Sequence, residues 1–238
     1  MSLYRDVGVV LRTYKLGESD RIVVIHTKAH GKVRAVAKGV RKTSSRFGSR
    51  LEPLSHIVVQ LYQGRDLDIV SQVELVETFK TLRTDLDRMS RGAAIVEVID
   101  QLSQERQPNA RLYDMAVGAL RAVDHWPSPL VVPALYLKLL AADGVGIDFD
   151  RCAVCSSEDG LVSLSLRNGG VLCANHRDGM AMSDQARRIM SLIVSGRMNA
   201  ALELPVGTAT FEVDRLATSL MESHIERRLS AARVLDGA

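Results

Sequence analysis

The sequence predicts an α+β chain of two domains, a small five-stranded barrel followed by a mainly helical domain with a ribbon-like insertion. Three observations carry this. Up to about residue 80, apolar residues alternate in short runs separated by turns rich in Gly, Asp and Ser. After Thr81 the apolar period lengthens to three and four. Inside the helical part, three cysteines and a histidine fall into two pairs of equal spacing.

Residues 7–14 form the first β-rich run, and Leu16-Gly17-Glu18-Ser19-Asp20 supplies a turn. Residues 21–27 are a second strand, and Ala29-His30-Gly31 turns the chain into a third. There Val33, Ala35 and Ala37 alternate with Arg34, Val36 and Lys38. Residues 39–50 lack an apolar period and read as a loop. Residues 55–62 and 67–77 complete five strands around Gln63-Gly64-Arg65. Five short strands within about 80 residues suit the OB-fold, a barrel that often binds nucleic acid; an SH3-like barrel fits the same pattern. The expected domains are 1–80, the barrel, and 81–238, the helical part, with the insertion at about 148–180.

Leu82, Leu86, Met89, Ala93, Val96 and Ile99 mark a first helix, and Leu112, Met115, Ala116, Ala119, Leu120 and Val123 a second beyond Pro108. A third spans 131–142 and stops near Gly144. Ser183 is placed to cap a helix over 184–194 that ends at Gly196, and 211–235 reads as a last long helix. These Leu and Met stripes are helix–helix core and carry no chemistry. No apolar run approaches the ~18 residues of a membrane span, and no secretory leader pattern appears. A cytoplasmic protein is expected.

Charge is the strongest functional signal. Lys32, Arg34, Lys38, Arg41, Lys42, Arg46 and Arg50 stand in one acid-free stretch with Phe47 among them. Residues 1–50 hold 12 Lys and Arg against Asp6, Glu18 and Asp20, a net of +9; the whole chain is +3, so the rest sums to −6. A basic front joined to an acidic remainder points to a polyanionic partner. A strand delivering a Gly/Ser-rich basic loop suits a phosphate backbone, and Phe47 is the candidate for stacking on a base. The other barrel aromatics are Tyr4, Tyr14 and Tyr62, and an aromatic content of 4% limits stacking as an affinity term.

Cys152-Ala-Val-Cys155 and Cys173-Ala-Asn-His176 are separated by 17 residues. Each short turn aims two side chains at one ion, and two turns complete a tetrahedron, the pattern of a ribbon-type structural zinc site. Four protein ligands leave no open position, which argues against metal catalysis. Arg151, Arg167 and Arg177 flank the ligands and read as solvated surface. There is no phosphate-binding P-loop, since Gly31-Lys32 is followed by Val33. His224-Ile225-Glu226 follows the cysteine pairs instead of preceding them, so it is no deaminase signature. No nucleophile elbow is present, and an enzyme is not expected.

Three segments resemble the RecO family of bacterial DNA repair and recombination mediators: Gly17-Glu18-Ser19-Asp20-Arg21-Ile22-Val23; Lys38-Gly39-Val40-Arg41-Lys42 with Ser45-Arg46-Phe47-Gly48; and Leu51-Glu52-Pro53-Leu54. The late metal cluster fits as well, although its fourth ligand is His176, where some members have Cys. The resemblance implies an N-terminal OB-fold, a helical C-terminal domain and a zinc insertion. It also implies binding of single- and double-stranded DNA and strand annealing without ATP. Loading of the RecA recombinase on DNA coated by single-stranded-DNA-binding protein follows too, with RecR as a partner. From the residues alone an RNA-binding or transcription-associated zinc-ribbon protein stays open, as do a metal-dependent nucleic-acid enzyme and a protein scaffold.

Overall fold

The computed structural model describes residues 2–42, 45 and 47–231, which divide into two compact units, 2–125 and 126–231. In the first, β1 (Leu3–Leu16), β2 (Asp20–Thr27), β3 (Gly31–Ala37), β4 (His56–Tyr62) and β5 (Asp68–Glu77) close into a barrel of order β1-β2-β3-β5-β4. The parallel pairing of β3 with β5, Ala35 opposite Asp68 and Val36 opposite Ile69, makes this an OB-fold barrel. β1 starts four residues before the expected strand. Its first half pairs with β4, its second with β2, and a bulge between Val10 and Arg12 bends it between the two partners. Gly8 is needed at this bend, because a Cβ there would lie 2.7 Å from the Ile25 side chain and 2.8 Å from the His26 carbonyl.

The barrel core is the inward half of the alternation: Val10, Val23, Ile25, Val33, Ala35, Ala37, Ile57, Val59, Leu61, Val70 and Val73. Phe47 and Leu51, in and beside a short 3-10 turn at Gly48–Leu51, pack into it. At about 25 cal/mol per Å², a buried aromatic of this size contributes several kcal/mol.

Two helices, α1 (Leu86–Leu102) and α2 (Ala110–His125), belong to the same unit. Asp85 caps α1 by accepting from the Arg88 N–H, and Asn109 caps α2 by accepting from the Leu112 N–H at 2.9 Å. α2 buries its expected stripe apart from the half-buried Met115. α1 does not: Leu86 and Met89 are exposed, and burial begins at Gly92, where the Leu54 and Leu82 side chains press against the helix.

The linker between α1 and α2 lies along β3. The Lys32 N–H donates to the Gln104 carbonyl and the Arg106 N–H to the Lys32 carbonyl, both at 3.1 Å. Gly31, at φ +68°, leaves room for the Gln107 backbone, which a Cβ would strike. Arg106 then clamps the wholly buried Asp68 through two bonds of 2.7 and 2.9 Å, and the Tyr4 hydroxyl donates to the same carboxylate. Burial alone would raise the Asp68 pKa, but the bonds from Arg106, Tyr4 and the Gly64 N–H outweigh it and hold the carboxyl below its usual range.

The second unit holds α3 (Val131–Ala142), α4 (Asp184–Val194), α5 (Met198–Leu202) and α6 (Thr208–His224), with α4 and α6 both packed on α3. Ser183 caps α4 as expected, accepting from the Ala186 N–H while its own hydroxyl donates to Glu212 of α6 at 2.6 Å. The last helix is shorter than the 211–235 predicted. It starts at Thr208 and ends at His224, where Glu226 takes φ +51° and the Leu229 N–H bonds back to Glu222; residues 232–235 lie outside the described ones. A three-stranded sheet of order β7-β6-β8, β6 (Leu161–Ser165), β7 (Gly170–Cys173) and β8 (Met180–Ala181), forms the insertion. Among the described residues no helix is long and apolar enough to cross a membrane.

Candidate nucleic-acid interface and metal centre

The three motif segments of the barrel meet at one end of it. The turn after β1 and the turn after β3 are bonded together: the Arg41 N–H donates to the Ser19 carbonyl at 3.0 Å, and the Gly39 N–H to Asp20 Oδ1 at 2.7 Å. Gly39 reaches this position with φ +65°, which disfavours any side chain. The Gly39 N–H, with the Ser19 hydroxyl, holds the Asp20 carboxyl below its usual pKa; Lys38 and Lys42 add a smaller electrostatic pull. The Arg41 guanidinium donates to the Glu18 carbonyl at 2.9 Å, and Arg21 pairs with Glu52 of the third segment at 2.9 Å. The Asp20 and Glu52 carboxylates therefore brace the turns.

The predicted interface residues do not share one fate. Lys38, Arg41, Lys42 and Arg50 are exposed, and Lys38 and Lys42 have no ion-pair partner within 4 Å among the described residues. Arg46 lies outside the described residues. Arg34 is exposed but stands 3.8 Å from Glu105 of the α1–α2 linker. Two expectations are corrected. Lys32 is largely buried, its ammonium donating to the Asp100 carbonyl at 2.7 Å and to Asp100 Oδ1 at 3.2 Å, so it serves the barrel–helix contact. Phe47 is 1% exposed in the barrel core and presents no face to a base. Its Ser, Arg and Gly neighbours gave no period from which burial could be read.

Sequence reasoning also missed residues on the barrel exterior. Arg12 pairs with Asp100 at 3.0 Å and lies 5.3 Å from the centroid of the Tyr14 ring. Asp100 thus faces both Arg12 and Lys32 although it is 68 residues away from the latter in the chain. Burial pushes His26, beneath the end of α1, down to about 4. The Ser103 hydroxyl donates to the Ile99 carbonyl at 2.5 Å and so accepts from His26 Nδ1 at 2.9 Å, which places a ring proton on Nδ1.

The second unit brings Cys152, Cys155, Cys173 and His176 together, with all four ligand atoms within 4.8 Å of one another. Cys155 Sγ and Cys173 Sγ are 3.8 Å apart, and His176 Nδ1 lies 3.4 Å from Cys173 Sγ and 3.9 Å from Cys152 Sγ. A tetrahedral ion with metal–sulfur bonds of about 2.3 Å and metal–nitrogen bonds of about 2.0 Å sets sulfur–sulfur edges near 3.8 Å and sulfur–nitrogen edges near 3.5 Å. The donor set fits. The first pair sits in a tight turn closed by the Ser156 N–H on the Cys152 carbonyl, and the Ala153 N–H ties that turn to Val171 of β7. The second pair spans the end of β7 and the 3-10 turn Ala174–His176. Backbone N–H groups around Cys152, that of Cys173 foremost, bring its thiol down to about 6 against the effect of burial. The Ser157 backbone lowers the Cys155 thiol, but burial and the neighbouring Cys152 and Cys173 thiols outweigh it and push it up, so Cys152 is the thiol poised as an anion for a cation. Of the flanking arginines, Arg151 pairs with Glu158 at 3.2 Å.

With the barrel and the metal cluster placed, comparison with known proteins decides the family. A model of the recombination protein O N-terminal region matches residues 1–79, and one of its C-terminal region matches residues 83–232. The chain belongs to the RecO family. It is similar to a protein of Frankia casuarinae named DNA repair protein RecO, at 41% identity with 100% of both chains covered. A Nocardioides protein of the same name is 38% identical over 96% of this chain and 97% of its own. The family match divides near residue 80, whereas compactness divides the chain after His125, because α1, α2 and their linker pack on the barrel.

Proposed function

We propose that this RecO-family chain is a DNA-binding recombination mediator in DNA repair. It binds single- and double-stranded DNA through the basic end of the barrel and anneals complementary strands without ATP. The observation that carries the reading is the exposed group Lys38, Arg41 and Lys42 on a turn whose nearby acid, Asp20, is engaged by backbone. Two strands repel through their phosphates, and a cationic surface that holds both lowers that barrier by local neutralisation. No nucleotide turnover is required. The names of its relatives support the repair role. Help in loading RecA on DNA coated by single-stranded-DNA-binding protein, a partnership with RecR, and a place in the cytoplasm at the nucleoid belong to the same proposal.

Cys152, Cys155, Cys173 and His176 would hold zinc, which supplies folding free energy to the insertion. The test of function is annealing of complementary oligonucleotides without ATP, wild type beside a variant with Lys38, Arg41, Lys42 and Arg50 changed to Ala. The variant is expected to lose annealing on the order of 10-fold or more. Undiminished annealing would remove the assignment, and equal annealing of matched RNA would favour an RNA-binding role.

A further inference from the structure

The four residues of the metal cluster are unevenly shielded. Cys152 is 2% and Cys173 4% exposed, whereas Cys155 and His176 stand at the surface. Around Cys155, the turn residues Ala153, Val154 and Ser156 are exposed as well. Its Sγ lies 3.8 Å from Cys173 Sγ on the other turn. A disulfide of about 2.05 Å therefore asks the two sulfurs to close by less than about 2 Å. Backbone keeps the turns adjacent: the Ala153 N–H donates to the Val171 carbonyl at 2.8 Å, and Cys173 stands opposite Leu161 where β7 pairs with β6.

A thiol that coordinates a metal is deprotonated outright, so access decides which ligand sulfur a water-borne oxidant meets first. Cys155 is the accessible one, and Cys173 is a buried thiol beside it. This pairing makes oxidation reversible, because a sulfenic acid condenses with a neighbouring thiol to a disulfide before it is oxidised further.

We propose that Cys155 is an oxidation site with Cys173 as its resolving thiol, and that hydrogen peroxide converts the zinc-holding cluster into a Cys155–Cys173 disulfide. The Cys155 thiolate attacks one peroxide oxygen and the O–O bond breaks, leaving a sulfenic acid on Cys155 and one hydroxide. The Cys173 thiolate then attacks the Cys155 sulfur, the S–O bond breaks and a second hydroxide leaves. Two thiolates give up two electrons in all, and one peroxide is reduced to two hydroxides. Cys152 and His176 are the donors that remain, half of the set a structural site needs, so the ion departs. The new bond links the same two turns that the ion linked. It therefore keeps the insertion closed, where simple loss of a ligand opens it. The inference rests on the zinc assignment above and adds to it a response to oxidants.

The experiment starts with the zinc content of the full-length protein and then titrates it with hydrogen peroxide beside a zinc-binding chromophore. Zinc is expected to leave as two of the three thiols of the chain are lost, and dithiothreitol with added zinc restores both. The bridge is then located by mass spectrometry of tryptic peptides after alkylation with N-ethylmaleimide, without reduction. Cleavage after Arg151, Arg167 and Arg177 puts Cys152 and Cys155 on one peptide and Cys173 on another. Linked peptides with the alkyl group on Cys152 identify the Cys155–Cys173 bond. Cys155→His keeps four donors without the exposed thiol, and is expected to hold its zinc to peroxide levels on the order of 10-fold higher. Should that variant fail to load zinc, the wild-type peptide map decides alone. Zinc retained under excess peroxide, a Cys152–Cys155 bridge, or Cys155 oxidised to sulfinic acid without a bridge overturns the inference and leaves the zinc assignment intact. A chain that takes up no zinc at all overturns both.

Discussion

Asp100 shows how far a single side chain can redirect a charge-based reading. Its carboxylate receives Arg12 and Lys32 on the barrel exterior, so two of the front's cations stabilise the packing of α1. A basic stretch is visible in sequence; a partner brought to it by tertiary packing is not. Phe47 was illegible for a related reason, since its polar neighbours hide a core position. The clustering of Cys152, Cys155, Cys173 and His176 was legible because paired spacing is itself what brings four such side chains together. His26 carries a prediction at this scale. Its folded pKa of about 4 lies below the ordinary value of 6.5, so the folded state binds fewer protons than the unfolded one between them. The stability it secures is complete above about pH 6.5 and is lost as pH falls, by about 2 kcal/mol at pH 5. Urea denaturation at pH 7 and pH 5, wild type beside His26→Gln, checks this. The wild type loses stability on acidification, and the variant loses clearly less.

Among the elements, strands were read more accurately than helices. Each strand has one face in the barrel and so keeps its alternation, as Val33, Ala35 and Ala37 do on β3. β1 was read short because the charged Arg5 and Asp6 interrupt the apolar run near its start. For α1 an apolar stripe was present but its phase misled, because Leu86 and Met89 precede the packed part of the helix. The insertion carries its own prediction. Its strands β7 and β8 have four and two residues, too little to bury a core, so under the proposed zinc assignment the ion and the turns hold it. Cys173→Ser should release bound metal and expose sites around 148–180 to limited proteolysis. Barrel-dependent binding to DNA should remain within about threefold. Metal content, proteolytic mapping and anisotropy on one preparation test all three.

At the level of the whole molecule, a chain of net charge +3 keeps its excess positive charge in its first 50 residues. The fold then sorts those cations. Lys32, Arg12 and Arg21 brace structure, while Lys38, Arg41, Lys42 and Arg50 remain exposed at the end where the motif turns meet. The OB topology was legible as five strands, but its parallel β3–β5 closure and the linker laid along β3 needed coordinates. Salt dependence tests the central claim most directly, because each neutralised phosphate steepens the response. With about six phosphates engaged, anisotropy of a labelled oligonucleotide should show wild-type affinity falling on the order of 10³-fold between 50 and 200 mM monovalent salt. A nearly flat curve over that range would contradict the account.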